Sequence, residues 1–221
     1  LKSNKITYMI DSSYLMNENY DQHPNGLIVN GQWTPISDPN YISPKINGKS
    51  LMSTAVSSLK QHIYKLPTSN AVSSNKKLYL QIIAFNDSFN LLFDDGPREL
   101  TIGNKIAALS FLDSLSAQVE TVEPWDEICS ALESDSVEQI ILLSASIPTI
   151  TEGDCAGITG NYTEIINNYN RNIRSESPLG TLIIDTISLF HNFCETTKNY
   201  DENNWLGLLS SGEESVCTHI N

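Results

Sequence analysis

Basic side chains are scarce in this chain: 13 Lys and Arg stand against 26 Asp and Glu, a formal net charge of −13. A nucleic-acid surface needs clustered cations, and the pair Lys76-Lys77 is all the sequence offers, so no nucleic-acid partner is expected. No stretch approaches the roughly 18 consecutive apolar residues that a spanning helix requires, so no membrane span is expected either. Leu1 to Lys5 lacks the apolar core and cleavage site of a signal peptide, and an exported form of the protein is expected to have lost its signal already. Catalytic signatures are also missing. There is no Gly-x-Ser-x-Gly elbow, no His-x-x-x-His pair and no Walker loop, and His23, His62, His191 and His219 are dispersed. Asp94-Asp95-Gly96 resembles a fragment of a calcium loop without the remainder and reads as a turn. No nucleophile, base and oxyanion set assembles, so no catalytic residue is expected and the chain is read as not an enzyme.

What is present suits a globular protein: hydrophobic residues make up 40% and charged residues 18% of 221 positions. The acidic balance favours solubility, attraction of cations or a basic partner. The cysteines, Cys129, Cys155, Cys194 and Cys217, contain no CxxC pair, which argues against a zinc knuckle. Their even number, with low charge and abundant Asn, Ser and Thr, suits an extracellular or cell-surface protein. Cys155 is a candidate to pair with Cys194, although sequence gives no connectivity; Cys129 and Cys217 lie in apolar contexts and read as buried thiols. Two N-x-S/T tripeptides, at Asn86 and Asn161, are of a kind that arises often by chance.

Strands alternate with helices. Lys5 to Ile10, Leu78 to Phe85, Gln139 to Ser144 and Thr181 to Leu189 are apolar, β-rich runs, the last two typical of buried central strands. Ser88 to Phe93 follows the Asn86-Asp87 turn pair as the second arm of a hairpin, and Ser215 to Ile220 reads as a last edge strand. Helical spacing marks Ser50 to Leu66 before Pro67, then Asn104 to Leu115, Trp125 to Leu132 after Pro124, Thr163 to Ile173 and Asn203 to Leu209. Two segments break the rhythm. Asn17 to Gly48 is long and polar, with a small hairpin expected at Leu27 to Trp33 about Asn30-Gly31. Thr149 to Gly160 is Gly- and Thr-rich and reads as a loop. The expected fold is α/β: an open, mostly parallel central sheet with helices on both faces and one antiparallel edge hairpin, in a single domain over residues 1–221 with an insertion at about 17–48.

Ligands of such sheets bind at the carboxyl ends of the strands. There the first strand runs into Met9-Ile10-Asp11-Ser12-Ser13-Tyr14-Leu15, which resembles the Asp-x-Ser-x-Ser opening of the metal-ion-dependent adhesion site in von Willebrand factor A domains. The resemblance continues in order through Asn104 to Leu115, Ala131-Leu132, Ile140 to Ser144, Asn167 to Asn172, Ile184-Asp185-Thr186-Ile187 and Leu208-Leu209 to Ile220. It covers nearly the whole chain outside the insertion.

The resemblance implies a divalent cation held by oxygens from three loops, and octahedral Mg²⁺ tolerates few omissions. Asp11 and Ser13 match the first two ligands, but the third position is Leu15, which has no oxygen donor. Counting five residues back from Ala131 places Asp126 where the family has threonine, with Thr121 the alternative if the loop carries an insertion. The third-loop aspartate should follow Ser144, where the chain has Ala145 and Ser146; Asp154 lies farther along. The candidate metal ligands are therefore Asp11, Ser13 and Asp126, in a degenerate site. No cofactor is expected, with Mg²⁺ or Ca²⁺ at low occupancy as the alternative. A carboxylate at Asp11 also serves as a turn or capping group without any metal. Trp33, Tyr41 and Tyr20, aromatics in the long loop, are candidates for contact with a partner, because they bury large area at small entropic cost; the other reading of Trp33 is a pin holding the insertion to the domain body. The resemblance implies a module of extracellular adhesion or assembly, and the missing ligands at Leu15 and Ala145 make the expected form non-catalytic, binding another protein or its own copies without a metal. The alternative is a cation-dependent ligand-binding domain with an atypical site.

Overall fold

A computed structural model of the chain describes residues 3–17, 27–29, 32–34, 50–69, 77–117, 122–176, 180–189, 194, 205–210 and 215–220. The apolar runs become the strands of one sheet: β1 (Lys5–Asp11), β4 (Tyr79–Phe85), β7 (Gln139–Ser144), β10 (Ile183–Leu189) and β11 (Cys217–Ile220), all mutually parallel. Antiparallel β5 (Phe89–Leu91) and β6 (Arg98–Glu99) complete a seven-stranded sheet of order β11-β10-β7-β1-β4-β5, with β6 also on β4. The edge position of β11 and the β4–β5 hairpin are as the sequence indicated.

Side chains alternate across this sheet and divide the core in two. Ile6, Tyr8 and Ile10 of β1 face a layer built with α1 (Leu51–Lys65) and α2 (Ile102–Ser114), whereas Met9 faces α3 (Trp125–Glu133), α4 (Tyr162–Asn172) and α5 (Trp205–Leu209). The helix starts follow ordinary capping chemistry. Ser50, Thr101 and Asn161 accept from Ser53 N, Asn104 N and Glu164 N with their side chains. The tripeptide match at Asn161 is thus a helix cap, and Asn86 accepts from both Ser88 N and Ser88 Oγ in the hairpin turn.

β5 and β6 occupy opposite ends of β4, and the ladder between them is interrupted. Gln81, in the middle of an apolar run, fills the gap: its Oε1 accepts from Phe93 N (3.1 Å) and its amide donates to Phe93 O. Residues Asp94 to Pro97 then turn outward, held by Arg98 on Asp95 (2.9 Å).

Three sequence expectations are corrected. Thr149 to Gly160 contains an antiparallel hairpin, β8 (Glu152–Cys155) with β9 (Ile158–Asn161), turned through Ala156 and Gly157 at φ 52° and 74°. Both positions at φ > 0 give the turn twist that matches paired strands. Second, the cysteines pair as Cys129–Cys155 and Cys194–Cys217, not Cys155 with Cys194. Third, Cys129 and Cys217 are therefore not thiols: one bridge staples the new hairpin to α3, the other ties residue 194 to β11. Within residues 17–48, β2 (Leu27–Val29) pairs with β3 (Gln32–Thr34), as the Asn30-Gly31 turn suggested, setting Ile28 opposite Trp33.

Arg174 closes the opposite end of the molecule. Fully buried, its guanidinium donates to the carbonyls of Ala131, Leu132 (2.8 Å) and Val137 (2.7 Å), and its Nε to Gly180 O (3.0 Å). It satisfies carbonyls in the last turn of α3, where a cation also meets the negative end of the helix dipole. Burial pulls its pKa down from the ordinary arginine value.

Candidate functional site

The chain leaves β1 toward β4 on one side and returns through β7 on the other. Their carboxyl ends therefore form a switch point, the place where open α/β sheets leave a crevice. Asp11 ends β1 there and is 0% exposed. Its Oδ1 accepts from Ser13 N (2.8 Å), and its Oδ2 accepts from Ser144 Oγ (2.8 Å) and Ala145 N (3.2 Å). Ser13 Oγ lies 2.8 Å from Ser146 Oγ, and Ser146 N donates to Ser144 Oγ (3.1 Å). Ser12 turns the other way, its N and Oγ both donating to Phe85 O of β4. The first and third loops are thereby sewn together by a buried polar network, which meets the requirement that buried polar atoms be partnered.

Below this network an aromatic group fixes the loop after β7. Trp125 stacks on Tyr162 (centroids 4.9 Å apart) and meets Trp205 edge-on (5.7 Å). The two indoles donate to that loop's backbone, Trp125 Nε1 to Ile150 O (2.6 Å) and Trp205 Nε1 to Ser146 O (3.1 Å). Two glycines make the packing possible. A Cβ on Gly153 would stand 2.1 Å from the Tyr162 hydroxyl, and one on Gly207 2.8 Å from Cys194 O. Sequence reasoning noted Trp125 only as a helix start and missed this group; three separate segments supply it, so no local pattern announces it.

The sequence-predicted residues do not all meet. Asp11 and Ser13 lie together in the network. Asp126 is exposed on the first turn of α3 and lines, with Glu133 and Asp154, an open groove of about 590 Å³ between α3 and the β8–β9 turn; neither Asp11 nor Ser13 is among the described residues of that groove. The groove's surroundings are acidic. Burial, and then the charge of Asp126, push the carboxyl of half-buried Glu127 above its ordinary value, and burial likewise raises Glu123. Leu15, at the third ligand position, is 43% exposed beside Tyr14 at 56%. Among the described residues, no group of three or more His, Cys, Asp or Glu side chains is arranged to hold a metal ion, and no helix is long and apolar enough to cross a membrane. Trp33 sits on β3 with its backbone alone described, and Tyr20 and Tyr41 fall outside the described residues.

No family model and no curated protein matches the chain. Solved structures do. A von Willebrand factor type A structure from Catenulispora acidiphila aligns with 98% of this chain and 38% of its own, at 13% identity and TM-score 0.51. Proximal thread matrix protein 1 from the mussel byssus aligns with 96% of this chain and 41% of its own, at 13% identity and TM-score 0.51. The PilB minor pilin from Streptococcus sanguinis aligns with 100% and 58%, at 12% identity and TM-score 0.52. The chain spans between about two fifths and three fifths of these structures. Likeness at such identities is likeness of fold.

Proposed function

This chain has a von Willebrand factor A-like fold, and on that scaffold we propose a non-catalytic protein-binding module of extracellular adhesion or assembly that engages another protein, or its own copies, without a divalent cation. The observation that carries the reading is the state of Asp11. Both its oxygens are held by N–H and O–H donors of the protein itself, and Ser13 is turned onto Ser146. A hard cation needs oxygen lone pairs converging on one point. Here the third loop contributes Ala145 and the first loop Leu15 where further oxygens would be needed, so the residues present do not fit the octahedral set that the family resemblance implies.

The rim instead offers exposed apolar surface at the carboxyl ends of the strands: Tyr14 and Leu15 after β1, and Ile150 after β7 at 53% exposure. Exposed aromatic and aliphatic side chains over a rigid base suit the anchor role at a protein interface. The bridges Cys129–Cys155 and Cys194–Cys217 support an oxidising compartment. The likeness of fold to a mussel byssus matrix protein and to a minor pilin is compatible with an assembly role.

Sedimentation velocity on the purified chain, alone and with its candidate partners, tests the proposal. Complexes should form equally in EDTA and in Mg²⁺ or Ca²⁺. Leu15→Asp should weaken them by about 1–2 kcal/mol, as for loss of an interface anchor, without lowering stability. Association that appears only with the cation present, or turnover of a substrate abolished by one polar-to-Ala change, would overturn it.

A further inference from the structure

A second cavity, of about 350 Å³, opens on the α3 face of the sheet near the amino ends of the strands, away from Asp11. Its floor is the buried surface of β1, β4 and β7, including Met9, Ile83 and Ile140. Its lip is the Asp94 to Pro97 turn, the segment displaced outward where Gln81 interrupts the edge ladder. A cavity of this size lies within the range that holds small ligands.

Two observations say what it would hold. The first is Thr7 on the floor. It is 4% exposed, and its Oγ1 is buried without a hydrogen-bond partner among the described residues. An orphaned buried hydroxyl costs about 1–3 kcal/mol, so natural interiors rarely leave one. The second is charge. Glu127, Asp94 and Asp95 line the cavity, and the described lining contains no Lys, Arg or His. Asp95 is engaged by Arg98, which also lies over the Phe93 ring (4.8 Å), whereas Glu127 and Asp94 have no salt bridge among the described residues.

We propose that this cavity binds a small organic cation: an ammonium group that meets Glu127 and Asp94, an apolar stem along Met9, Ile83 and Ile140, and a polar far end that hydrogen-bonds the Thr7 hydroxyl. The burial that raises the Glu127 carboxyl is then relieved by the ligand's charge. The cation is a free amine: a partner's lysine would enter ammonium first and could not set its own main chain on the buried floor beside Thr7.

The test is a calorimetric titration of the intact chain with 5-aminopentan-1-ol, pentylamine, pentan-1-ol and Nα-acetyl-lysine methylamide. The amino alcohol should bind saturably, and pentan-1-ol about tenfold or more weaker. Pentylamine, which lacks the group for Thr7, should fall several-fold below the amino alcohol. Glu127→Gln should cost about tenfold, and Thr7→Val several-fold while thermal stability holds or rises, because the valine removes the orphaned hydroxyl. The lysine derivative, whose far end is a bulky peptide unit, should bind more weakly than the amino alcohol, and tighter binding of it would overturn the placement of the far end at Thr7. Absence of saturable binding by every cation, binding of pentan-1-ol as tight as that of the amino alcohol, or binding indifferent to both substitutions would each overturn the proposal.

Discussion

Replacing Asp11 separates a structural carboxylate from a metal ligand. In Asp11→Asn, Oδ1 still accepts from Ser13 N, but an NH₂ group replaces Oδ2 and faces Ala145 N–H and the Ser144 hydroxyl. The hydroxyl can rotate and accept; the Ala145 N–H cannot, and it is left without a partner in a fully buried site. One orphaned donor and the lost charge-assisted bonds together suggest a cost of about 2–3 kcal/mol. Asp11→Ala orphans the Ser13 and Ala145 N–H groups, leaves the Ser144 hydroxyl only Ser146 O (3.2 Å) as acceptor, and opens a small cavity, for about 4–5 kcal/mol, less than the simple sum because such terms are not additive. For a chain of this length, that corresponds to a fall of about 5–10 °C for Asn and roughly 10–20 °C for Ala. Urea denaturation under non-reducing conditions, run in EDTA and again in Mg²⁺, reads both variants. The wild-type midpoint should be the same in both buffers. An Asp11→Ala variant that loses less than about 1 kcal/mol would refute the reasoning, as would a wild type whose midpoint falls in EDTA to that of the variant.

Other parts of the structure give further predictions. Cys129→Ala with Cys155→Ala removes a cross-link between residues 26 apart, and chain entropy puts the loss near 3.5 kcal/mol, measurable by the same titration. Arg174→Met leaves several buried carbonyls at the end of α3 without their donor and should cost about 3–4 kcal/mol; Arg174→Lys, which lacks the planar fork, should recover only part of it. Glu127 carries a pH prediction. Its folded pKa is raised, so the folded state holds the proton more tightly than the unfolded chain does. The carboxyl therefore penalises folding at neutral pH, and the penalty disappears as pH falls through the raised folded value to below the unfolded one. Glu127→Gln should raise the urea midpoint at pH 7 and leave it unchanged near pH 4, against a wild-type control at each pH.

The fold was legible where burial is two-sided. Runs such as QIILLS and the apolar spacing of α1 and α2 locate strands and helices to within two residues, because a parallel sheet covered on both faces demands continuous apolar strands. The β8–β9 hairpin was not legible. Its turn uses Ala156 at φ 52° where Asn or Asp is the usual signal, and the short arms, EGDC and ITGN, show no alternation of apolar and polar residues. The cysteine pairing was hidden for the same reason, since it depends on where that hairpin folds. Arg174 sits in a polar run indistinguishable from solvated surface, and only the convergence of α3 and residues 137 and 180 reveals its partners.

The adjacency of Asp11 and Ser13 was readable because the strand end fixes it. Asp126 was placed by counting along a helix whose exposed face looks toward Asp154. The hydroxyl pair of Ser13 and Ser146 joins segments 133 residues apart, and no local pattern encodes it.

Calorimetric titration of the wild-type chain with Mg²⁺ and then Ca²⁺, each to millimolar concentration, bears most directly on the claim that the switch point is closed by the protein's own hydroxyls and amides. The account predicts no saturable binding that depends on Asp11. Saturable uptake of one ion per chain, abolished by Asp11→Ala in a variant shown to be folded, would contradict it.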